Sequence, residues 1–539
     1  MRIDYFTTKN DVTVDLGDFT VLVGPNNTGK SQTLLDIHSI MESNNSSDSV
    51  QTTIVDDIEY QSQPFDEFRE ELNIGSHPNQ VDRRIIRGIS SNLQELSNQN
   101  LQDHQIDRLE DEDDITQHNR FQRLTQFKVA LLDASSRLNI AEATGTYDVS
   151  DGYPQNILQK LYTAPQAREQ LRDAFQDTFG KDILLDYSSL QKFILRISDG
   201  FGETENDMLE PPGDYSNYKR IDEQGAGFKS FAGVVLSLLL TEDRVVLLDE
   251  PEAFLHPAQA RQFGSWMANH ASEIPGQLII ATHNSHFLTG ILSASEGIAI
   301  HRLNWAGDYT KYNTMPREAT IELASDPLLS NQRVIEGVFH KGVVVCEADG
   351  DALIYRFASE KELDERDFLF THAQNKQTID RVTEILTEAA IPRIAVVDID
   401  ILKDPGEYGE LLQSLDDDGE NFRDAMNTCN QFNYLLGESD VGWNDVKENG
   451  AEAIPESAEA EFSELIEMGR DYGLFIVDVG ELEGWLDLGR SKGPEWVIEA
   501  LDEIDDGNCS EELREFVAEI QDYLNQQYRE LVVAEPGAE

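Results

Sequence analysis

Cysteine is scarce in this chain of 539 residues, which has three cysteines far apart at Cys346, Cys429 and Cys509. Their spacing matches no metal-ligand pattern, and they are too few for a disulfide framework. Long hydrophobic runs are also lacking: no stretch of about 18 apolar residues occurs, which predicts no membrane span. The first residues do not have the pattern of a secretory signal. These absences predict a cytoplasmic protein in a reducing compartment.

Basic residues are few as well. The chain has 42 Lys and Arg residues against 102 Asp and Glu residues, so its formal net charge is −60. A surface with this charge repels itself at low salt, whereas at about 1 M salt the Debye length is only about 3 Å. The excess is spread along the chain among regular hydrophobic strands, which favours a protein of an extreme halophile over a disordered or generic acidic chain. The charge also argues against broad nucleic-acid binding.

A phosphate-loop pattern is present near the start. The segment GPNNTGKS at residues 24–31 follows an apolar strand and opens a helix, which is the context that such a loop requires. Lys30 is expected to reach the β- and γ-phosphates of ATP, and Ser31 to hold Mg²⁺. A glycine-rich turn without function is the alternative, and this context disfavours it. The loop residues expected to bind ATP are Gly24, Asn26, Asn27, Gly29, Lys30 and Ser31.

A second motif completes this nucleotide site. The apolar strand in RVVLLDE, residues 244–250, ends in two carboxylates. Asp249 is expected beside Mg²⁺, and Glu250 is expected to act as the catalytic residue that polarises the attacking water; a plain helix cap is the alternative. The strand Leu278–Ala281 then ends at His283, which is placed to contact the γ-phosphate of ATP.

These motifs, in this order, resemble the ABC-type ATPases, in the branch shared with chromosome-maintenance and DNA-repair ATPases. The resemblance implies a head-to-tail dimer, in which a signature loop of one subunit closes the nucleotide site of the other. The matching segment here is QGAGFKS at residues 224–230, with Gly227 as the residue expected at the nucleotide. It departs from the Leu-Ser-Gly-Gly-Gln form, and an ordinary glycine turn before a helix is the alternative.

A second set of acidic residues follows three predicted strands. Glu347 and Asp351 follow the strand Val343–Cys346, an Asp-Ile-Asp sequence follows the strand Ile394–Val397, and Glu481 and Glu483 follow the strand Leu474–Val477. Carboxyl ends of parallel strands share one edge of a sheet, and oxygen ligands there suit Mg²⁺ or Mn²⁺. Solvated acids are the alternative in so acidic a chain. The expected metal ligands are Ser31 and Asp249 in the first site, and Glu347, Asp351, Asp398, Asp400, Glu481 and Glu483 in the second.

The order of these acids resembles the Toprim domain, and the whole chain resembles the OLD (overcoming lysogenisation defect) family of ATP-dependent endonucleases. The resemblance implies catalytic roles for Glu347 and Asp398, prefers Glu483 over Glu481, and makes Asp349 an added carboxylate. A downstream lysine is also implied, and Lys492 is the last lysine in the chain, although a solvated loop lysine is equally consistent. DNA and a second copy of the chain are the implied partners, with a helicase or another defence protein as a further candidate.

The predicted fold class is α/β, with two domains. Residues 1–330 are expected to form an ABC-type P-loop ATPase domain, with a helical insertion or arm over about 65–180 that contacts a dimer partner. Residues 331–539 are expected to form a Rossmann-like Toprim domain with a parallel sheet and carboxyl-terminal helices. Its residues 403–460 are acidic and predict a surface excursion.

The sequence therefore predicts an ATP-controlled, metal-dependent DNA endonuclease in defence or repair. DNA would be approached through local basic clusters, at Arg83, Arg84 and Arg87 and at Lys219 and Arg220. Two alternatives stay open: a DNA-repair or chromosome-type ATPase that binds metal without cutting, and an effector that acts on RNA or protein. A membrane transporter is the least consistent class, because transport needs no second carboxylate site.

Overall fold

The computed structural model describes the chain in blocks. The described residues are 2–42, 51–61, 75–76, 83–89, 96–102, 128–147, 154–201, 215–240, 244–271, 273, 276–294, 297–316, 319, 321, 334–373, 378–416, 422–489 and 493–533. Side chains are not described in 75–76, 83–89 and 96–102. The chain divides into two compact units, Met1–Val23 with Asn27–Leu303 and Gly24–Asn26 with Asn304–Glu539.

The first unit contains a parallel sheet and smaller antiparallel sheets. Its strands are β1 Arg2–Thr8, β2 Thr13–Asp15, β3 Phe19–Val23, β4 Val55–Gln61, β5 Gly75–Ser76, β6 Arg83–Ile89, β7 Leu96–Gln102, β8 Val129–Leu132, β9 Thr144–Gly145, β10 Asp182–Asp186, β11 Lys192–Ser198, β12 Lys219–Arg220, β13 Arg244–Asp249, β14 Gly276–Ala281 and β15 Ala299–Trp305. The parallel strands run in the order β15-β3-β14-β13-β8. Strand β3 is buried along its whole length, as expected when helices cover both faces of a parallel sheet.

Helices pack around this sheet. They are α1 Lys30–Glu42, α2 Ala134–Ile140, α3 Ile157–Tyr162, α4 Pro165–Phe179, α5 Ala226–Leu240, α6 Pro257–His270 and α7 Ser285–Leu292. Helix α5 is almost wholly apolar and buried, and its Phe231 packs against the rings of Phe175, Phe179 and Phe263. This aromatic cluster anchors the helix that begins within the predicted signature segment.

The predicted helical insertion is wrong in part. Within residues 65–180, the described segments β5, β6 and β7 form a three-stranded antiparallel sheet. Residues 129–132 of the same region are not helical either, because they form β8 and pair with β13, whereas α2 follows directly at Ala134–Ile140. Tertiary pairing decides such short apolar runs, which periodicity cannot assign to a helix or a strand. Helices α3 and α4 do form near the end of this region.

The second unit contains a four-stranded parallel sheet. Its strands are β16 Thr310–Thr314, β17 Gly342–Cys346, β18 Phe368–His372, β19 Arg393–Asp398 and β20 Leu474–Val477, and the last four form the sheet in the order β18-β17-β19-β20. The three strands predicted for this region are thus confirmed as β17, β19 and β20. Their runs of Val and Ile are buried, because helices cover the sheet.

Helices supply the rest of the second unit. They are α8 Asp349–Glu362, α9 Ile379–Glu388, α10 Pro405–Leu415, α11 Arg423–Gly437, α12 Trp443–Asn449, α13 Glu459–Asp471, α14 Pro494–Asp505 and α15 Glu511–Val533. Helices α8, α14 and α15 share one hydrophobic core with the sheet, centred on the buried Trp496 and Tyr355. Helices α10 to α13 lie between β19 and β20 in the chain, so the described residues of the acidic stretch 403–460 are mostly helical. Across the described parts of the chain, every helix is too short or too polar to cross a bilayer.

Candidate functional site

The loop from Gly24 to Ser31 joins β3 to α1. Gly24 has φ 135° and Gly29 has φ 97°, values that L side chains rarely adopt, and Asn27 has φ 62° in the left-handed region. Glycine adopts such angles without steric cost, and a turn of this kind directs successive backbone N–H groups inward. Since helix α1 begins at Lys30, its amino-terminal end also favours an anion. The loop therefore has the backbone needed for a bound phosphate.

Three charged or polar groups meet beside this loop. The Ser31 hydroxyl donates a hydrogen bond of 2.8 Å to Asp249 Oδ1. Burial raises the pKa of Asp249, and the charge of Glu250 adds to that rise. Burial lowers the pKa of Lys30 to about 8, against the opposing effect of Glu250 and Asp249. The start of α1 and the end of β13 thus hold an ammonium and a hydroxyl–carboxylate pair, a donor set that suits Mg²⁺ and phosphate.

Glu250 and His283 form the second part of the first site. His283 Nδ1 lies 2.8 Å from Glu250 Oε1, and both side chains are about half exposed. The backbone of Glu250 has φ 49°, a left-handed value for a residue with a side chain, and its N–H donates to Ala281 O at 2.8 Å. Strained backbone of this kind persists where surrounding structure holds it and is frequent at functional sites. The arrangement presents a carboxylate, oriented by an imidazole, to solvent.

Arg137 is a residue of this site that sequence reasoning missed. It is fully buried, and its guanidinium donates to the carbonyls of Leu132 at 3.0 Å, Asp249 at 2.5 Å and Glu250 at 2.9 Å, and to Ser230 Oγ at 3.2 Å. One side chain therefore fixes the turn that carries both acidic residues to β8 and α5. The signal in the sequence was weak, because Arg137 lies in a stretch that reads as an insertion.

Glu252 is a second missed residue. Its side chain is buried, Oε1 accepts a hydrogen bond of 2.6 Å from the Thr282 hydroxyl, and Oε2 has no hydrogen-bond partner in the part of the chain that the structure describes. Burial raises the pKa of Glu252 to about 7. Since Thr282 directly precedes His283, this contact links the turn after β13 to the end of β14.

Gly227 lies in the first turn of α5. A Cβ atom there would lie 2.8 Å from the carbonyl oxygen of Phe254, in the loop after Glu250. Phe254 itself has φ 73° and an exposed ring. Gly227 thus permits a close approach of two loops within one chain, and its contact with a nucleotide of another subunit stays a prediction.

The second acidic site lies at the carboxyl ends of β17, β19 and β20. Glu347 Oε1 accepts a hydrogen bond of 2.9 Å from the backbone N–H of Asp398. Burial raises the pKa of Asp351 to about 6, and the charges of Asp398 and Glu483 contribute to that rise. Four of the predicted ligands, Glu347, Asp351, Asp398 and Glu483, are therefore brought to one edge.

The remaining two predicted ligands have a different partner. Lys447 Nζ lies 2.6 Å from Asp400 Oδ2 and 3.3 Å from Glu481 Oε1. Among the described residues, no group of three or more His, Cys, Asp or Glu side chains lies in a metal-ligand arrangement. The donor chemistry of the four acids at the edge nevertheless fits a hard divalent cation, since all of their ligand atoms are carboxylate oxygens.

Other predicted residues lie elsewhere. Lys492 falls outside the described residues. Asp349 is exposed, with His372 Nδ1 at 3.6 Å from its carboxylate. Strand β6 carries the predicted basic cluster Arg83, Arg84 and Arg87, whose side chains are not described. Arg220, of the other basic cluster, is paired with Asp222.

Comparison with known proteins gives one family match. The model described as "AAA domain, putative AbiEii toxin, Type IV TA system" matches residues 19–289, which include the whole first site. No curated protein matches the chain.

Similar solved structures include three heads of SMC proteins. An SmcHead bound to the C-winged helix domain of ScpA is 12% identical, with 60% of this chain and 100% of that chain covered and a TM-score of 0.36. The SMC head domain from Thermotoga maritima is 12% identical, with coverage of 59% and 100% and a TM-score of 0.31. The Smc head with an extended coiled coil, bound to the C-terminal domain of ScpA from Pyrococcus furiosus, is 12% identical, with coverage of 60% and 98% and a TM-score of 0.31.

Proposed function

Since the chain belongs to the family described as "AAA domain, putative AbiEii toxin, Type IV TA system", we propose that it binds and hydrolyses ATP at the first site and uses the nucleotide to control a metal-dependent DNA endonuclease at the second. The AAA-type domain contains the loop, the two carboxylates and the histidine of the first site. The observation that carries the nuclease half is the convergence of carboxylates from three strand ends at one edge of the second sheet.

At the first site, each residue has a distinct task. Ser31 and Asp249, already hydrogen-bonded to each other, would hold Mg²⁺, which neutralises charge on the phosphate oxygens when bound. Lys30 would pair with the β- and γ-phosphates. Glu250, held by His283 at 2.8 Å, would accept the proton of the attacking water. The lowered pKa of Lys30 is expected to rise again once anionic phosphate compensates for its burial.

At the second site, Glu347, Asp351, Asp398 and Glu483 would hold a divalent cation, Mg²⁺ or Mn²⁺. Such a cation lowers the pKa of its water and stabilises the leaving oxygen of a phosphodiester. The four carboxylates would orient the ion against the edge of the sheet, and the hydrogen bond from the Asp398 N–H fixes one oxygen of Glu347 for that task. This chemistry corresponds to a Toprim-type endonuclease of the OLD class.

The proposed setting is defence or repair in a halophile, with DNA as substrate and a homodimer as the active form. At high salt, phosphate contacts lose affinity steeply, so binding would depend on the metal and on enclosure by two subunits. The net charge of −60 is consistent with such conditions.

The test separates the two activities. We expect Glu347→Ala and Asp398→Ala to reduce nicking of plasmid DNA by about 100-fold or more, since even partners of ligands are worth about 10–100-fold. ATP hydrolysis should be unchanged in both variants. Nicking is measured by gel in molar KCl with Mn²⁺, and hydrolysis by phosphate release.

Two further variants serve as controls. Asp349→Ala changes an exposed acid of the same segment and should keep full nicking. Glu250→Gln should abolish ATP hydrolysis. Equal cleavage by the wild type and both Toprim-site variants would reject the nuclease assignment. A wild type that binds DNA and hydrolyses ATP without any cleavage would identify a chromosome-type or repair ATPase with a metal-binding second domain.

A second candidate function is favoured by the family description, which names a toxin of a type IV toxin–antitoxin system. In this case ATP would control an effector that acts on RNA or protein partners. Competition among duplex DNA, single-stranded DNA and RNA for the wild-type chain distinguishes the two: the endonuclease prefers DNA, whereas the effector does not.

A further inference from the structure

Arg137 is a charged side chain buried in the interior of the first unit. Its guanidinium forms four hydrogen bonds, to three main-chain carbonyls and to one serine hydroxyl. A buried charge is costly unless it is well bonded, so an apolar side chain could fill the same space at a lower cost. The bonds of Arg137 therefore point to a task that requires a cation with several donors in fixed directions.

Two of these bonds hold adjacent residues of the turn after β13. Arg137 Nη1 donates to the carbonyl of Asp249 at 2.5 Å, and Nη2 donates to the carbonyl of Glu250 at 2.9 Å. Nη1 also donates to the carbonyl of Leu132, the last residue of β8, at 3.0 Å. The planar guanidinium thus fixes two successive peptide groups relative to the sheet, and a lysine ammonium does not have this fork of donors.

The backbone of Glu250 needs such support. Its φ of 49° lies in the left-handed region, where a residue with a side chain persists only if its neighbours hold it. The Glu250 N–H donates to Ala281 O at 2.8 Å, and the Glu250 carbonyl accepts from Arg137 and from the Ala253 N–H at 3.0 Å. Since the direction of a side chain depends on the conformation of its backbone, these bonds aim the Glu250 carboxylate.

The fourth bond of Arg137 goes to helix α5. Arg137 Nε donates to Ser230 Oγ at 3.2 Å, and the serine is fully buried. One turn further along α5, a Cβ at Gly233 would lie 2.2 Å from the Arg137 carbonyl, so the helix lies directly against the main chain of α2. Helix α5 begins at Ala226, within the predicted signature segment. One side chain thus joins this helix to the turn that carries Glu250.

We propose that Arg137 is a positioning residue for ATP hydrolysis. It holds the main chain of Asp249 and Glu250 so that the Glu250 carboxylate faces the attacking water, and Ser230 holds Arg137 against α5. The inference rests on the proposed ATPase function and adds a residue that acts through Glu250 rather than on ATP itself. Because Ser230 lies near the start of α5, a displacement of this helix would reach Glu250 through one side chain.

The test compares the rate of hydrolysis with nucleotide binding in the full-length chain. Phosphate release in molar KCl with Mg²⁺ gives kcat and KM for ATP, and calorimetry with AMP-PNP, a non-hydrolysable ATP analogue, gives Kd. Arg137→Lys keeps the charge and loses the fork that reaches two carbonyls at once. Ser230→Ala removes only the acceptor on α5 and leaves the bonds to the turn in place.

The first unit offers a matched control for each substitution. Ser237→Ala changes an equally buried serine of α5, whose hydroxyl donates to Gly233 O within the same helix at 2.6 Å. Arg196→Lys changes another buried arginine, which lies on β11 and donates to Asp186 and to the carbonyl of Tyr218. These controls measure what the loss of a buried polar group does away from the turn.

We expect kcat to fall about 100-fold in Arg137→Lys, because a displacement of about 1 Å at a catalytic group has a cost of this order. In Ser230→Ala, kcat should fall about 10-fold, since one bond to a charged group is lost. The Kd for AMP-PNP should be unchanged in both variants. Ser237→Ala and Arg196→Lys should keep the wild-type kcat, even where they lower Tm.

A wild-type kcat in folded Arg137→Lys and Ser230→Ala chains overturns the proposal and leaves the ATPase function standing. A loss in KM and Kd with an unchanged kcat also overturns it, since Arg137 would then support binding alone. An equal fall of kcat in Ser237→Ala overturns it as well. If Arg137→Lys does not fold, Ser230→Ala against Ser237→Ala decides the question. A wild type that releases no phosphate rejects the ATPase function itself, and this inference with it.

Discussion

Glu252 places a buried carboxyl group next to the first candidate site, with one oxygen bonded to Thr282 and the other without a hydrogen-bond partner among the described residues. Burial raises its pKa to about 7 from an ordinary value of 4.5. Between pH 4.5 and about pH 7, Glu252 loses its proton in the unfolded chain but keeps it in the folded chain. The protonated Glu252 therefore contributes fully to the free energy of unfolding below about pH 4.5. This contribution is lost as the pH rises through about 7.

A Glu252→Gln substitution should remove this pH dependence. Glutamine keeps the acceptor for Thr282 and cannot ionise, so we expect the wild type to lose roughly 2 kcal/mol relative to the variant between pH 5.5 and pH 8. Denaturant unfolding at each pH gives the two free energies, and their difference cancels the other titrating groups. Parallel curves for the two proteins over this range would show that Glu252 is already ionised in the folded chain.

At the same scale, the sequence predicts some site residues and misses others for a physical reason. Acids that end a strand, such as Asp249 and Asp398, are predictable because strand direction and sheet edge are local properties. Arg137 and Lys447 reach their sites only through packing of distant segments. Nothing in their neighbours along the chain indicates that contact.

At the scale of elements, long runs of β-branched residues decide which strands can be predicted from the sequence. Strands β17 and β19 are predicted correctly, since Val and Ile runs flanked by turns suit a buried parallel sheet. The four-residue strand β8 is missed because its short apolar run is ambiguous. Its pairing with β13 joins residues more than a hundred positions apart, which no local pattern contains.

The close approach of α12 to the Glu481 loop makes a prediction about one glycine. Gly450→Ala would bring a Cβ within 2.1 Å of the Asp478 carbonyl at a left-handed φ. Overpacking of main chain and the left-handed penalty together should destabilise the second unit by roughly 3 kcal/mol. Thermal unfolding measures the loss.

Gly437→Ala is the matched control for that change. Gly437 ends α11, and no atom of the described residues outside its own helix lies within 4 Å of a Cβ placed there. Alanine is the better helix former, so this substitution should leave stability unchanged or raise it slightly. If the two alanine variants unfold at the same temperature, α12 does not rest on the loop as described.

At the scale of the whole molecule, charge dominates. The chain has 102 acidic and 42 basic residues, and its basic side chains include Arg196, Arg172 and Lys447, each already paired with an acid. Internal pairing therefore leaves most of the acidic excess on the surface, where only salt can screen it. Both candidate sites then belong to a strongly negative molecule, which favours cations over polyanions at low salt.

This excess predicts a stability that depends on salt. Between 0.1 and 1 M KCl the Debye length falls from about 10 Å to about 3 Å. Most of the increase in the free energy of unfolding should therefore come within this range. For units of this size, a stabilisation of about 3 kcal/mol would raise Tm by about 6–12 °C. Thermal unfolding monitored by circular dichroism measures this rise in Tm.

Potassium chloride and potassium acetate should raise Tm equally at equal ionic strength, because screening depends on charge alone. A flat or falling Tm would contradict a halophilic surface, and a strong difference between the two anions would assign the gain to preferential exclusion instead.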